Sequence, residues 1–226
     1  MQLVIGNKNY SSWSMRPWVL MRQAGIAFEE RKIRFDDMTP GSPFKQAVSA
    51  LSPAAKVPVL IDGELAVWDS LAIAEYLAER FPEHRLWPED RAARARARSI
   101  CCEMHSGFAA LREHCPMNIE LSMPEIGERV LREQPAVAAD LARIVALWTE
   151  LLEAHGGPLL FGRFTIADAY YAPVVMRLRS YALPLPAAAA GYVKAVAALP
   201  AVRDWVADAL AEQDFVPIDE PYRSQR

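Results

Sequence analysis

The sequence predicts an α/β domain over residues 1–81, a linker over residues 82–88 and an all-α domain over residues 89–226. Before Arg80, short apolar runs alternate with segments of helical spacing, and two prolines, Pro82 and Pro88, follow. Beyond them every apolar repeat has helical spacing. A chain of 226 residues is long enough for two small domains. We therefore expect a β-α-β-α-β-β-α domain followed by a bundle of helices.

The composition narrows the class of protein and of partner. Hydrophobic residues make up 52% and charged residues 23% of the chain, which is typical of a globular protein. A net charge of −3 gives no basic surface for a nucleic acid. The start lacks a signal-peptide pattern and no apolar run could span a bilayer, so we expect no membrane association. Cys101, Cys102 and Cys115 match neither a disulfide framework nor a metal-binding pattern, which favours no metal and a reducing cytoplasm.

The first elements follow from short patterns near the N-terminus. Residues 3–5 form an apolar run typical of a strand, and a helical pattern begins at the serines after Tyr10 and ends at Gly25. Pro17 is expected in the first turn of that helix. Residues 28–35 predict a second strand and residues 44–51 a short helix. Two strands joined by a helix are expected to be parallel.

The stretch from Lys56 to Leu77 carries the strongest local signals. It contains two apolar runs separated by Asp-Gly, which predicts an antiparallel hairpin, and a helix that starts after Asp69. Pro58 stands at the head of a strand, where a proline requires an edge, a bulge or a cis bond. A cis bond would leave the N–H and C=O of Val57 free. Because a helix N-terminus binds carboxylates and Asp69 suits an ammonium group, this stretch predicts a ligand with an α-amino acid end.

The second half predicts helices alone. The expected helices span residues 90–113, 141–152, 165–181, 187–198 and 202–210. Thr165 and Asp168 form a capping-box pattern, and we interpret them as structural. His105 is interpreted as a core or interface residue.

The segment NYSSWSMRPW, residues 9–18, places three serines at the start of the first helix. One hydroxyl is enough to cap a helix, and capping is the favoured interpretation on residues alone. A hydroxyl at a helix N-terminus can also donate to a thiolate. Since the segment has no cysteine, such a thiol would belong to a bound ligand. Arg16 is expected to be a buried ion-pair partner.

Four segments together resemble the cytosolic glutathione S-transferase family: SSWSMR, KVPVL, DSLAIAEYL and FTIADAYYAP. Within that family, the resemblance is to bacterial members that have a zeta-like serine motif. The resemblance covers the whole chain and implies a thioredoxin-like first domain. Ser11, Ser12 and Arg16 match the zeta-class motif Ser-Ser-Cys-x-x-Arg. Trp13 replaces its cysteine, which argues against a cysteine-type glutathionyl transfer enzyme.

The resemblance implies a glutathione transferase, with glutathione as cosubstrate, that activates a thiolate for attack on a small, largely apolar electrophile. It also implies a homodimer. The implied catalytic residues are Ser11, which matches the family's catalytic serine, and its neighbour Ser12. The implied glutathione-binding residues are Lys56, Val57, Pro58, Asp69 and Ser70. The implied substrate pocket is formed by Tyr10, Trp13, Met104 and Phe108.

Two alternatives remain beside that function. One is a glutathione-dependent isomerase of the maleylacetoacetate type, which the zeta-like motif suggests. The other is a non-catalytic binding protein with the same fold. Retention of the serines and of Asp69 and Ser70 favours an enzyme over the binding protein.

Overall fold

The computed structural model describes residues 1–226 and contains a four-stranded mixed sheet in its N-terminal domain. The strands lie in the order β2-β1-β3-β4. Strand β1 is parallel to β2 and antiparallel to β3, which is antiparallel to β4. The predicted topology is confirmed. The strands are β1 (Gln2–Ile5), β2 (Glu29–Lys32), β3 (Val59–Asp62) and β4 (Leu65–Trp68).

Three helices flank the sheet: α1 (Ser12–Ala24), α2 (Pro43–Ser49) and α3 (Ser70–Arg80). Helix α1 ends as predicted at Gly25, whose φ of 73° is in the left-handed region that favours glycine. The prediction that Pro17 lies in the first turn is wrong. The helix starts at Ser12, so Pro17 is inside it and cannot donate to the carbonyl four residues earlier.

The hairpin forms where the sequence predicts it, with a shift of one residue at the turn. Asp62 pairs with Leu65, so the two turn residues are Gly63, at φ 61°, and Glu64. Strand β2 is shorter than the predicted segment 28–35, and all four of its residues are exposed. Its charged side chains protect an edge of the sheet.

The rest of the chain is helical, as predicted. Its helices are α4 (Arg91–Ser106), α5 (Ala109–His114), α6 (Pro124–Glu133), α7 (Pro135–His155), α8 (Ile166–Ser180), α9 (Ala187–Ala197) and α10 (Pro200–Glu212). Single 3-10 turns occur at Pro82–His84 and Pro217–Asp219. Helix α6 was not predicted, and α7 is longer than the predicted 141–152.

The single helix predicted over residues 90–113 is wrong, because the structure divides it into α4 and α5. Gly107 is extended, and Phe108 has a φ of 53°. A Cβ on Gly107 would lie 2.7 Å from the carbonyl oxygen of Glu103. The chain therefore needs a glycine at this close approach.

The capping box at the start of α8 is present as predicted. Asp168 is fully buried, and its carboxylate accepts hydrogen bonds from the Thr165 N–H at 2.9 Å and the Tyr192 hydroxyl at 3.2 Å. These contacts tie the start of α8 to α9. Asp168 therefore has a structural role.

One hydrophobic cluster of 50 buried residues runs through both domains. Helix α1 packs on α8, and α3 lies against α1, so the N-terminal ends of α1 and α3 both face the helical domain. No helix is long and apolar enough to cross a membrane.

Candidate active site at the domain interface

The N-terminus of α1 places two serine hydroxyls at the boundary between the domains. Ser11 is the N-cap: its Oγ accepts from the Ser14 N–H at 3.4 Å and donates to the Ser14 Oγ at 2.7 Å. The Ser14 Oγ also accepts from the Gly6 N–H at 3.1 Å. The Ser11 hydroxyl is thus engaged in holding the first turn of α1.

Ser12 has a different environment, because its Oγ accepts a hydrogen bond from the Arg177 guanidinium at 3.1 Å. The Ser12 hydroxyl donates to no protein group. Its proton is therefore free for an acceptor on a ligand. Burial lowers the pKa of Arg177 to about 10, so this arginine stays charged at neutral pH.

Arg177 is one of three neighbouring arginines, and the other two lie against the Trp13 ring. The Arg16 Cζ lies 4.1 Å and the Arg112 Cζ 5.7 Å from the Trp13 ring centroid. Both other arginines help to lower the pKa of Arg177, since like charges disfavour one another. Arg16, Arg112 and Arg177 form no salt bridge, and we call them the arginine cluster.

Arg16 is buried as expected, but the expected ion pair is absent. Its side chain lies against the rings of Trp13 and Tyr170, and its Nε and Nη1 have no hydrogen-bond partner. Burial lowers its pKa. A buried guanidinium with unmet donors and no carboxylate beside it favours an anion nearby.

The protein supplies only weak compensation for these charges. Asp219 lies near Arg177, which lowers the pKa of its carboxyl, but burial outweighs that effect and raises the pKa to about 6. The Nε of Arg112 is also buried without a partner. The cluster therefore keeps a strong positive potential beside Ser12.

The segment before β3 exposes backbone groups. The Val57–Pro58 peptide bond is cis, one of the three possibilities that the sequence left open, and neither the N–H nor the C=O of Val57 takes part in a hydrogen bond. Pro58 is buried, whereas Lys56 is exposed and forms no ion pair. An extended peptide could pair with Val57 as an additional strand would.

The start of α3 provides a second polar corner. Asp69 is its N-cap, with a φ of 73° that is uncommon for a residue other than glycine. Its Oδ1 accepts from the Leu71 N–H at 2.8 Å, and its Oδ2 lies 3.2 Å from the His105 Nε2. The His105 ring is packed edge-on against Trp13. Asp69 thus keeps a half-exposed carboxylate at a helix N-terminus.

Ser70 lies beside Asp69 with its side chain turned inward. It is 1% exposed, and its Oγ is 3.0 Å from the Tyr170 hydroxyl. Its backbone N–H is in the first turn of α3 and has no intrahelical acceptor. A ligand carboxylate would therefore meet Ser70 through the backbone.

The residues predicted to line the substrate pocket are unequally accessible. Trp13 is partly exposed at the interface, whereas Met104 and Phe108 are 1% and 6% exposed and belong to the hydrophobic cluster. The Tyr10 hydroxyl donates to Glu220 at 2.6 Å. Burial and that contact raise the pKa of Tyr10 to about 12, so it keeps its proton.

Arg177 and Tyr170 were not assigned a role from the sequence, whereas His105 lies at the interface, one of the two positions expected for it. Arg112 and Arg177 complete the arginine cluster, and Tyr170 and His105 hold Ser70 and Asp69 from the helical domain. One signal existed: Arg177 interrupts the apolar stretch YYAPVVM on a helix that the sequence predicts to be buried. A charge in that position indicates a buried contact.

The arrangement has three features suited to one ligand. Asp69 and the start of α3 suit an α-amino acid end, Val57 suits a peptide backbone, and Ser12 with the arginine cluster suits an anion such as a thiolate. Asp69 and Ser12 both border the helical domain. A short peptide with an ionisable thiol would satisfy all three features together.

Comparisons with known proteins agree with that geometry. Residues 10–80 match the family described as glutathione S-transferase, N-terminal domain, and residues 124–208 match glutathione S-transferase, C-terminal domain. The two matches are in the order expected for one protein of that family.

Curated relatives include a zeta-class glutathione S-transferase from Euphorbia esula, 28% identical over 71% of this chain and 66% of the relative. A probable maleylacetoacetate isomerase from Caenorhabditis elegans is 32% identical over 62% of this chain and 64% of the relative. The chain thus spans about two thirds of the length of these relatives.

Among solved structures, a glutathione transferase homologue from a Burkholderia strain, with bound glutathione, is similar at a TM-score of 0.67. It is 25% identical, with 94% of this chain and 98% of that chain covered.

Proposed function

Because the chain belongs to the glutathione S-transferase family, we propose that it is a transferase whose Ser12 and arginine cluster activate the glutathione thiolate for attack on an electrophile. Glutathione is the cosubstrate. The observation that carries the proposal is the Ser12 hydroxyl, which accepts from Arg177 and leaves its proton free. Activation consists of stabilising the thiolate so that it is populated at neutral pH.

Glutathione fits the exposed polar groups in one direction. Its γ-glutamyl end lies at Asp69 and the backbone of Ser70, its cysteinyl amide pairs with Val57, and its glycyl carboxylate faces Lys56. Pro58 fixes the chain direction at Val57. The thiol then lies toward the N-terminus of α1, where the helix dipole favours a negative charge.

The chemistry of the thiolate follows from its neighbours. The Ser12 hydroxyl donates to the sulfur, Arg177 polarises that hydroxyl, and the proton released from the thiol passes to solvent. For an unsaturated acid, the sulfur forms a bond to the electrophilic carbon, the C=C π bond breaks, and the carbanion that results takes a proton from solvent. Charge moves from sulfur to the substrate during this step, and the arginine cluster stabilises it in both places.

The arginine cluster also points to the electrophile. Three cations without a salt bridge exceed what one thiolate needs, so we propose that the electrophile carries a carboxylate beside its apolar part. Trp13 provides the apolar surface. This observation also keeps the isomerase alternative open, because an isomerase of the maleylacetoacetate type acts on a carboxylate.

We further propose that the domains meet at residues 82–88 and that the protein works in the cytoplasm as a homodimer. The exposed edge strand β4 supports association: Leu65 and Trp68 are 49% and 43% exposed there. Exposed apolar residues on an edge strand favour burial against a partner.

Replacing Asp69 tests the glutathione site. Asp69→Ala is expected to weaken glutathione binding by roughly 1–3 kcal/mol, since the ligand's ammonium loses its carboxylate partner. Asp69→Asn removes the negative charge but keeps the helix cap, because asparagine also caps helices. Asp69→Asn should bind glutathione as weakly as Asp69→Ala does, and it should have the same melting temperature as the parent protein. Asp90→Ala, at the cap of α4, is the matched control. Unchanged affinity by calorimetry in both Asp69 variants would refute this assignment.

Ultraviolet titration of the thiol of bound glutathione distinguishes the roles of the two serines. Ser12→Ala should raise the thiol pKa by roughly one to two units, the value of a hydrogen bond to a charged group. Conjugation should then slow at neutral pH and recover at higher pH. Ser11→Ala should mainly lower stability, by about 0.5–2 kcal/mol, through loss of the cap. The reverse pattern would identify Ser11 as the hydrogen-bond donor to the thiolate. If neither variant changes the thiol pKa, the donor is a backbone N–H.

A carboxylic acid electrophile and its methyl ester test the arginine cluster. Arg112→Met should lower kcat/KM for an unsaturated acid by about ten- to a hundredfold, because an anionic group loses a charged donor. The methyl ester should change by less than about threefold. Arg132→Met, on the exposed surface of α6, serves as control. Equal losses for acid and ester would exclude carboxylate recognition by Arg112.

Sedimentation velocity tests the dimer. At micromolar concentration the protein should sediment with twice the mass of the chain, and Leu65→Lys should shift it toward the monomer by placing a charge on the buried edge. Leu210→Lys, which changes an equally exposed leucine on α10, should leave the mass unchanged. A parent protein of monomer mass would rule the homodimer out.

A further inference from the structure

The residues after α10 fold back across the loop that precedes the catalytic serines. We call residues 213–226 the C-terminal strap and residues 6–10 the β1–α1 loop. The strap contains Glu220, a carboxylate that is only 5% exposed. Such a group is expected to have several partners.

Glu220 joins three parts of the structure. Its Oε1 accepts from the Tyr10 hydroxyl at 2.6 Å and from the Asn118 Nδ2 at 2.9 Å. Arg223 neutralises the charge through two contacts, at 2.6 and 2.7 Å. Arg223 also reaches Glu120 at 3.1 Å. The carboxylate is thus fixed within a complete hydrogen-bond network.

A second strap residue holds the other end of the β1–α1 loop. The Asp214 Oδ2 accepts from the Asn7 Nδ2 at 2.6 Å, and the Asp214 C=O accepts from the Tyr10 hydroxyl at 3.2 Å. Just before the strap, the Glu212 carboxylate accepts from the Lys8 N–H at 2.8 Å. Three carboxylates from the C-terminal end of the chain therefore hold a loop at its N-terminal end.

The same loop residues hold the backbone of both serines. The Asn7 C=O accepts from the Ser11 N–H at 2.8 Å, and the Tyr10 C=O accepts from the Ser12 N–H at 2.8 Å. Each serine is thus two hydrogen bonds from the strap. The strap does not touch either serine hydroxyl.

We propose that the C-terminal strap positions the serines that activate glutathione, and that Glu220 is the positioning residue through which it acts. The identity of the reaction rests on the proposed function, whereas the ordering of the loop does not. Without Glu220, Tyr10 loses its short carboxylate contact and keeps only the longer one to the Asp214 C=O, so the end of the loop next to the serines is held less firmly. The Ser12 hydroxyl then no longer meets the thiolate in one fixed geometry.

Hydrogen exchange in the unliganded protein tests the ordering directly. Glu220→Ala should speed amide exchange of Ser11 and Ser12 about tenfold, with little change in the core of α7 or α8. Tyr10→Phe removes the donor of the same hydrogen bond and should speed amide exchange of the serines by a similar factor. Glu220→Gln keeps an acceptor for Tyr10, so its exchange rates at the serines should lie between those of Glu220→Ala and those of the parent protein.

The functional readout is the thiol pKa of bound glutathione. In Glu220→Ala it should rise by about one unit, with a matching fall in kcat at neutral pH that recovers as pH rises. KM for glutathione should change by less than about threefold, because the Lys56–Ser70 segment is untouched. The matched control is Tyr222→Phe, which removes a strap contact to the His114 carbonyl and none to the loop.

Each outcome decides between positioning and mere stability. Local acceleration of exchange with a raised thiol pKa supports the proposal, and Glu220→Gln and Tyr10→Phe provide the same test if Glu220→Ala does not fold. Unchanged exchange at the serines, or equal acceleration throughout the chain, overturns it. If the parent protein binds no glutathione, the proposed function fails, and the exchange data still decide whether the strap orders the loop.

Discussion

The packing of α1 on α8 is the contact on which the site depends. It brings the N-terminus of α1, which belongs to the sheet domain, against Arg177 of the helical domain. Ser12 gains its hydrogen-bond donor only because the two helices lie together. The shared hydrophobic cluster stabilises this contact, so the geometry of the site is set by the burial of apolar surface rather than by polar contacts alone.

The positive charges at this contact carry a cost in the free protein. A buried guanidinium loses hydration, and neighbouring cations repel it, which is why burial lowers the pKa of both Arg16 and Arg177. The carbonyl oxygens of Cys115 and Arg112, at 2.6 and 3.4 Å, compensate Arg177 in part. Arg16 has only aromatic faces. Binding of an anion compensates the remaining positive charge. The same charges that destabilise the free protein therefore favour binding of an anionic ligand.

Local patterns in the sequence were enough for the fold and for half of the site. The hairpin and the start of α3 each depend on a few adjacent residues, and the sequence therefore predicts them. For Pro58 the same local pattern allowed a cis bond but did not choose it over an edge or a bulge. The division of α4 from α5 was not predicted, because the close approach at Gly107 outweighs the helical pattern around it. Arg177 and Glu220 were not assigned because most of their partners are 62 or more residues away in the sequence. The same limit applies to Ser70, whose inward rotation depends on Tyr170.

Several departures from ordinary local chemistry lie together at the domain interface. Asp69 has a positive φ, Arg16 has unmet donors, and Arg112 and Arg177 lie near it with no salt bridge. Elsewhere the strand pairings and the capping box at Thr165 follow the usual rules, although left-handed caps also occur at Arg85, Phe108 and Gln213. Natural proteins keep such departures where function requires them. Since both the unusual backbone at Asp69 and the uncompensated arginines border the same face, a single ligand with an ammonium group at one end and an anionic sulfur at the other accounts for both.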